Sequence, residues 1–402
     1  MEFTYCKLID VLSDIHSGGT PSTEGSSYWG GNIKWLSSGE TSQRFISDTV
    51  DKITEEGVKN SSTKLAKKNN IVMACAGQGK TRGQTSYLLD DMYINQSVIA
   101  LETKTSVLPL YLFYDLSSRY EELRGGSDAS STRGSITTTA LKNLPFKYPD
   151  LSTQQSIVDI LFGYDSLIEA NNRRIELLEQ AAQELYREWF VRFRFPGYED
   201  VKFENSLPEG WERNKIQKYY NTCSGGTPSR SKPEYFENGV YPWVKTGEIK
   251  DCVIIDTEEY ITQEAVNNSS AKVLPAKSVA MAMYGVNIGL LAYFDSEMTC
   301  NQACCVFSDK RDFSSKHYLY YYLKSIREYL LLISFGAAQQ NLSQDLIKKL
   351  KITMPSDDVV QAFEKQVDDI YGNIRMLLLR NKNLAEQRDM LLPRLMSGKL
   401  EV

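Results

Sequence analysis

Histidine is nearly missing from the 402-residue chain: only His16 and His317 occur, and neither sits beside a serine or cysteine signature of a nucleophilic triad. There is no Cys-x-x-Cys step. Structural zinc favours such pairs, so Cys300, Cys304 and Cys305 read as packing thiols and no metal site is expected. Seven cysteines, an odd count, do not make a disulfide framework. Long apolar runs are also scarce. The longest uncharged one, Ser278 to Phe294, carries Gly285, Asn287 and Gly289 and reads as strands rather than a membrane helix. Met1-Glu2-Phe3-Thr4-Tyr5-Cys6-Lys7 lacks the basic-then-apolar pattern of a secretory leader, which predicts a cytoplasmic protein with no membrane partner. Basic residues do not dominate: 46 Lys and Arg stand against 51 Asp and Glu, a net charge of −5. That excludes a uniformly basic coat but not a local basic face.

The chain is written twice. Ser17-Gly18-Gly19-Thr20-Pro21-Ser22 recurs as Ser224-Gly225-Gly226-Thr227-Pro228-Ser229. Trp35, Gly39 and Glu40 recur as Trp243, Gly247 and Glu248; Ile53-Thr54 as Ile261-Thr262; Asn60-Ser61-Ser62 as Asn268-Ser269-Ser270; and Asn95-Gln96 as Asn301-Gln302. So many ordered matches mean a tandem duplication of about 200 residues. Each copy opens with short β-branched runs between Gly- and Ser-rich turns, such as 70–74 and 96–100. A helix follows near 108–118, with a counterpart near 313–332. These predict a mixed α+β domain at 1–150 and a second at 208–355, joined by a linker at 193–207.

Each copy ends in a helix, at 151–192 and 356–402. Ile157, Leu161, Tyr164, Ile168, Asn171, Ile175, Leu178, Ala182, Leu185 and Trp189 follow steps of 4 and 3, a coiled-coil seam. Phe363, Val367, Ile370, Ile374, Leu377, Asn381, Leu384, Arg388, Leu391 and Leu395 repeat those steps. With the helices antiparallel and ends aligned, Asn171 faces Asn381, Trp189 faces Phe363, Ile157 faces Leu395 and Arg388 faces Tyr164. A parallel pairing would bury the Asn171 amide against Leu377 at about 1–3 kcal/mol. The expected fold is therefore two repeated α+β domains on an antiparallel coiled coil with pseudo-twofold symmetry, which would hold two similar heads at the ends of a ~50 Å rod.

Catalytic motifs are wanting. No Gly-x-Gly-x-x-Gly follows a strand, and there is no Pro-Pro-Tyr/Phe step, the pattern amino-methyltransferases carry. Gly79-Lys80-Thr81 resembles the end of a phosphate loop, but Ala74 stands where that motif needs glycine. Glu40 and Glu248 read as structural. No cofactor is expected in this chain.

Charge is instead segregated. No acid lies between Gly57 and Leu89, a stretch with Lys64, Lys67, Lys68, Lys80 and Arg82, where Gln78 and Gln84 share a Gly-rich loop with the last two cations. Lys and Arg neutralise phosphates, and Arg, Lys, Gln and Asn can read base edges. The second copy is free of acids from Ala265 to Phe294, with Lys272, Lys277, Tyr284 and Asn287. A solvated basic loop is the plainer reading of any one of these. The frame is retained between copies while the loops differ, which suits two heads reading different sequences. The first helix is acidic, with nine acids against five basic residues between Ser152 and Asp200, and suits protein partners.

In this order the motifs resemble the specificity subunit of type I restriction-modification systems, over the whole chain. The resemblance rests on the Ser-Gly-Gly-Thr-Pro-Ser pair and on Leu144-Pro145 leading to Thr153-Gln154-Gln155-Ser156-Ile157-Val158. It also rests on Trp189-Phe190-Val191 with Phe193-Arg194-Phe195-Pro196-Gly197, Leu207-Pro208-Glu209-Gly210-Trp211, and Leu391-Leu392-Pro393-Arg394-Leu395 through Leu400. The second Thr-Gln-Gln equivalent keeps only Gln361. The resemblance implies a subunit without activity of its own, whose two target-recognition domains each read half of a bipartite double-stranded DNA site. Its helices would set the spacing and dock two modification subunits, which methylate adenine with S-adenosylmethionine. Restriction subunits would add translocation and cleavage with ATP and Mg. The alternative, a coiled-coil scaffold that binds no DNA, is separated by salt-sensitive, sequence-dependent retention on DNA.

Overall fold

In the structure, a computed structural model, residues 2–77, 79–128, 134–334 and 341–402 are described. The chain divides into two compact units, Met1–Leu167 with Leu384–Val402, and Ile168–Asn383. This division cuts across both long helices, so each unit owns one α+β domain and one end of each helix.

The first unit is built on a five-stranded sheet in the order Leu12–Ser17, Val98–Thr103, Ile71–Ala74, Thr85–Leu88, Phe45–Ile46. The middle strand Ile71–Ala74 is buried throughout, which is why it reads as an unbroken apolar run. The helix Pro109–Ser118 has proline in its first turn, where no backbone N–H is needed. Its Tyr111, Leu112, Phe113 and Tyr114 are all fully buried. A four-stranded sheet lies beside the first, in the order Asp51–Ile53, Trp29–Leu36, Met92–Ile94, Lys64–Ala66.

The second unit repeats this plan. Its five-stranded sheet runs Tyr220–Ser224, Cys304–Asp309, Val279–Ala282, Leu291–Phe294, Cys252–Ile254. The segment 278–294 is thus two strands and their connection, as the repeat requires. Among the described residues no helix is long and apolar enough to cross a membrane.

The repeated dipeptides have mechanical roles. Ile53 and Ile261 end strands, and Thr54 and Thr262 cap the next short helices by accepting Gly57 N–H at 3.1 Å and Ala265 N–H at 3.2 Å. Glu40 accepts from the N–H groups of Ser37 (3.1 Å) and Val50 (2.8 Å); Glu248 does the same for Lys245 (2.8 Å) and Glu258 (3.0 Å). Both carboxylates are backbone clamps.

The central helix spans Leu151–Tyr186 and continues through a π-helical turn at Arg187–Val191. The C-terminal helix spans Asp357–Ser397. Every predicted seam position is buried or half-buried. In the first unit Ile157 and Leu161 share a core with Leu392, Leu395 and Met396. In the second, Trp189 packs on Phe363 with ring centroids 5.8 Å apart, and Ala182 lies in one core with Val367, Tyr371 and Ile374. Numbers rise along one helix as they fall along the other, so the coiled coil is antiparallel. One predicted partner changes. Arg388 directs its charge to Asp165, one residue past the expected Tyr164, because a buried guanidinium takes the nearest carboxylate.

Candidate nucleic-acid interface

In the first unit the antiparallel strands Ile71–Ala74 and Thr85–Leu88 are joined by the Gly-rich loop. Gly83 N–H donates to Ala74 O at 2.9 Å and Gln84 N–H to Thr81 O at 3.0 Å, closing the loop at its base. Gly79 takes φ +62 with nothing near its missing Cβ, so the tip needs glycine for its backbone conformation rather than for space. Behind the tip stands the helix Tyr120–Asp128: Tyr120 OH donates to Lys80 O and Arg124 Nη1 to Tyr120 OH, both at 2.8 Å.

Among the described residues, the predicted ones do not form one face. Lys80 is exposed on the tip. Gln78 lies outside the described residues. Arg82 is only 8% exposed, and its Nη1 donates to Gly134 O at 2.6 Å. Gln84 is half-buried at the loop's base. Lys67 and Lys68 are exposed but stand at the other end of this hairpin, before Ile71 rather than after Ala74. Lys67 Nζ pairs with Glu102 at 3.2 Å, and Lys68 is tied by its backbone N–H to Asp91 at 2.7 Å. Lys64 is exposed on the strand Lys64–Ala66, directly opposite Ile94.

The second unit sorts its candidates similarly. The hairpin tip between Val279–Ala282 and Leu291–Phe294 carries Tyr284, 38% exposed, in a backbone bridge with Asn341. Asn287 Nδ2 donates to Thr246 O (2.9 Å) and Ile249 O (3.1 Å), which anchors the tip. The residue that projects is Val286, fully exposed, which its apolar character disguised in the sequence. Lys277 sits at the far end of the hairpin, 3.5 Å from Asp368. Lys272 is exposed.

A frame common to both units surrounds each tip. A Cβ on Gly18 would lie 1.8 Å from Ile94 O and one on Gly225 2.0 Å from Cys300 O, so both positions demand glycine. Trp35 Nε1–H donates to Gly19 O at 3.2 Å and Trp243 Nε1–H to Gly226 O at 3.0 Å. Thr20 Oγ1 donates to Gln96 Oε1 at 2.5 Å, and Thr227 Oγ1 makes the same bond to Gln302. The frame joins the tips through backbone: Cys75 N–H donates to Ser97 O and Met283 N–H to Ala303 O, both at 2.8 Å. The segments beyond the short helices join there too, with Ile136 N–H on Cys75 O and Leu342 N–H on Met283 O. The repeated Asn-Gln pair was the sequence signal for this frame.

Among the described residues no three His, Cys, Asp or Glu are placed to hold a metal ion. All seven cysteines are free thiols. Two repeated domains, each with a common frame and a divergent tip and each packed with one end of both long helices, define a recognition architecture. The family model for the type I restriction modification DNA specificity domain matches residues 2–180 and 208–369, and the chain belongs to that family. It is 26% identical to the type I restriction enzyme MjaIX specificity subunit of Methanocaldococcus jannaschii, over 98% of this chain and 93% of that one. It is also 26% identical to the HindI specificity subunit of Haemophilus influenzae, over 92% and 94%. The crystal structure of a type I restriction-modification S subunit from M. genitalium shares the fold, with a TM-score of 0.56 at 15% identity, covering 98% of this chain and 96% of that one.

Proposed function

We propose that this chain is the non-catalytic, DNA-reading subunit of a type I restriction-modification complex. Each α+β domain reads one half of a bipartite duplex site, and the coiled coil sets the distance between the halves. The observation that carries this reading is the pairing of retained frames with divergent tips, Gly79-Lys80-Thr81 in one copy and Tyr284-Gly285-Val286 in the other.

In this reading the chain positions two modification subunits and the restriction subunits. Adenine methylation with S-adenosylmethionine, and ATP-driven translocation and Mg-dependent cleavage, belong to those partners. Mapping methylated adenines in the host genome with and without this gene is the test. The expected result is one bipartite motif, both halves and spacer fixed, that vanishes when the gene is removed. Unchanged methylation would overturn the proposal.

A further inference from the structure

The tips of the two domains share almost nothing, yet one exposed polar pair beside them is the same in both. In the repeated Asn-Gln step the asparagine is structural. Asn95 Oδ1 accepts Ser97 N–H at 2.9 Å and Asn301 Oδ1 accepts Ala303 N–H at 3.1 Å, a tight turn in each copy. That turn puts the following glutamine, Gln96 or Gln302, on the exposed surface. The threonine hydroxyl of Gly-Gly-Thr-Pro then donates to the glutamine Oε1. With its acceptor engaged, the amide is oriented and its Nε2 presents two N–H donors. The backbone bonds of Cys75 to Ser97 and of Met283 to Ala303 set each glutamine one residue from the base of a reading tip.

A donor retained in two heads that read different sequences must meet something both half-sites share. The phosphate backbone is chemically identical whatever the bases, and neutral amide side chains commonly contact it. We infer that Gln96 and Gln302 are matched phosphate clamps, each held by its threonine, which seat the two recognition domains on DNA independently of sequence. This rests on the DNA-reading function proposed above.

The test uses the full chain assembled with its modification subunits, and two duplexes, one with the mapped bipartite site and one of random sequence. Gln96→Glu and Gln302→Glu keep an acceptor for the threonine hydroxyl but replace the amide donor with a charge that repels phosphate. Each is expected to weaken retention of both duplexes by the same factor, about tenfold or more, with the methylated sequence unchanged. Gln96→Ala is expected to act in the same direction but less strongly. It should leave the slope of log affinity against log salt unchanged, because a neutral donor releases no counterion. Wild-type retention by the Glu variants would overturn the inference and leave the pair as an internal tie. Loss confined to the matched duplex, with an altered methylated sequence, would overturn it by making the glutamine a base reader. A wild-type complex that retains no DNA would instead overturn the underlying functional reading, and the inference with it.

Discussion

Asn171 donates its Nδ2–H to Asn381 Oδ1 at 2.8 Å, and Asn381 returns a 2.8 Å bond from its own Nδ2 to Asn172 Oδ1. Asn171 and Asn381 are the amide positions of two largely apolar seams, and their meeting fixes one register. Asn381→Leu would strand the buried Asn171 amide, at a cost of about 1–3 kcal/mol. The expected outcome is a lower denaturation midpoint and a blurred spacer length in the methylated motif. Wild-type stability would show that the pair does not specify register. This part of the fold was legible in the sequence because a heptad seam is a local periodic signal, and its polar interruptions can be matched by counting.

A second polar contact in the helices was not legible. Asp165, 3% exposed, accepts from Arg388 Nη1 at 2.5 Å, Arg44 Nε and Nη2 at 3.2 Å and Tyr114 OH at 2.8 Å. Asp165 lies beside the seam rather than on it, and Arg44 is far away in sequence, so no periodicity points to the cluster. Removing the carboxylate leaves two guanidinium groups without their shared anion. Asp165→Asn should therefore cost about 3–5 kcal/mol. Arg388→Met should cost less, because Arg44 and Tyr114 still satisfy Asp165. Equal losses in denaturant titrations would contradict this asymmetry.

The candidate interface was half legible. Composition located the acid-free segments, and the repeat located their frame. Which side chains project was hidden, because a loop's Arg or Asn serves backbone carbonyls as readily as it serves a ligand. Arg82 and Asn287 do the former, and Lys67 and Lys277 are held by Glu102 and Asp368. Lys64 and Lys272 remain exposed at matched positions of the two copies. Lys64→Ala and Lys272→Ala should each weaken binding to every duplex and flatten the salt slope by about one unit. Binding measured from low to high salt checks this, and an unchanged slope would take those lysines off the DNA.

The second tip offers the opposite kind of substitution. Val286 is fully exposed on a hairpin anchored through Asn287, next to the part-exposed Tyr284. Apolar side chains in the major groove meet the thymine methyl group. Val286→Ser should therefore relax one half-site, by about 1–3 kcal/mol per lost contact, and leave the other half-site intact. Methylation mapping reads both halves at once. Relaxation in the first half-site, or in neither, would remove Val286 from the readout.

Asp115 gives the first unit a pH signature. Asp115 is 7% exposed, and burial pushes its pKa up to about 6, against a partial lowering by Arg119 at 3.5 Å. The folded state thus holds this proton more tightly than the unfolded chain, where an aspartate titrates near 3.9. Its contribution to stability is fully present below about pH 4 and is lost as pH rises through about 6. The difference in unfolding free energy between wild type and Asp115→Asn should change by about 2–3 kcal/mol across that window and be flat above it. A flat difference throughout would mean that the carboxyl titrates normally.

Spacing is the property that the coiled coil should control most directly. Inserting one heptad between Leu167 and Ile168, and another between Asn383 and Leu384, keeps every seam residue on its face. It also keeps Asn171 opposite Asn381. Seven residues lengthen a helix by about 10.5 Å at ~1.5 Å each. At about 3.4 Å per base pair, that corresponds to roughly three more base pairs between half-sites. The half-site sequences should not change, because neither tip is touched. A complex that stays active on the original spacing would show that the distance is set elsewhere, and one that methylates only the lengthened site would identify the helices as the measuring element.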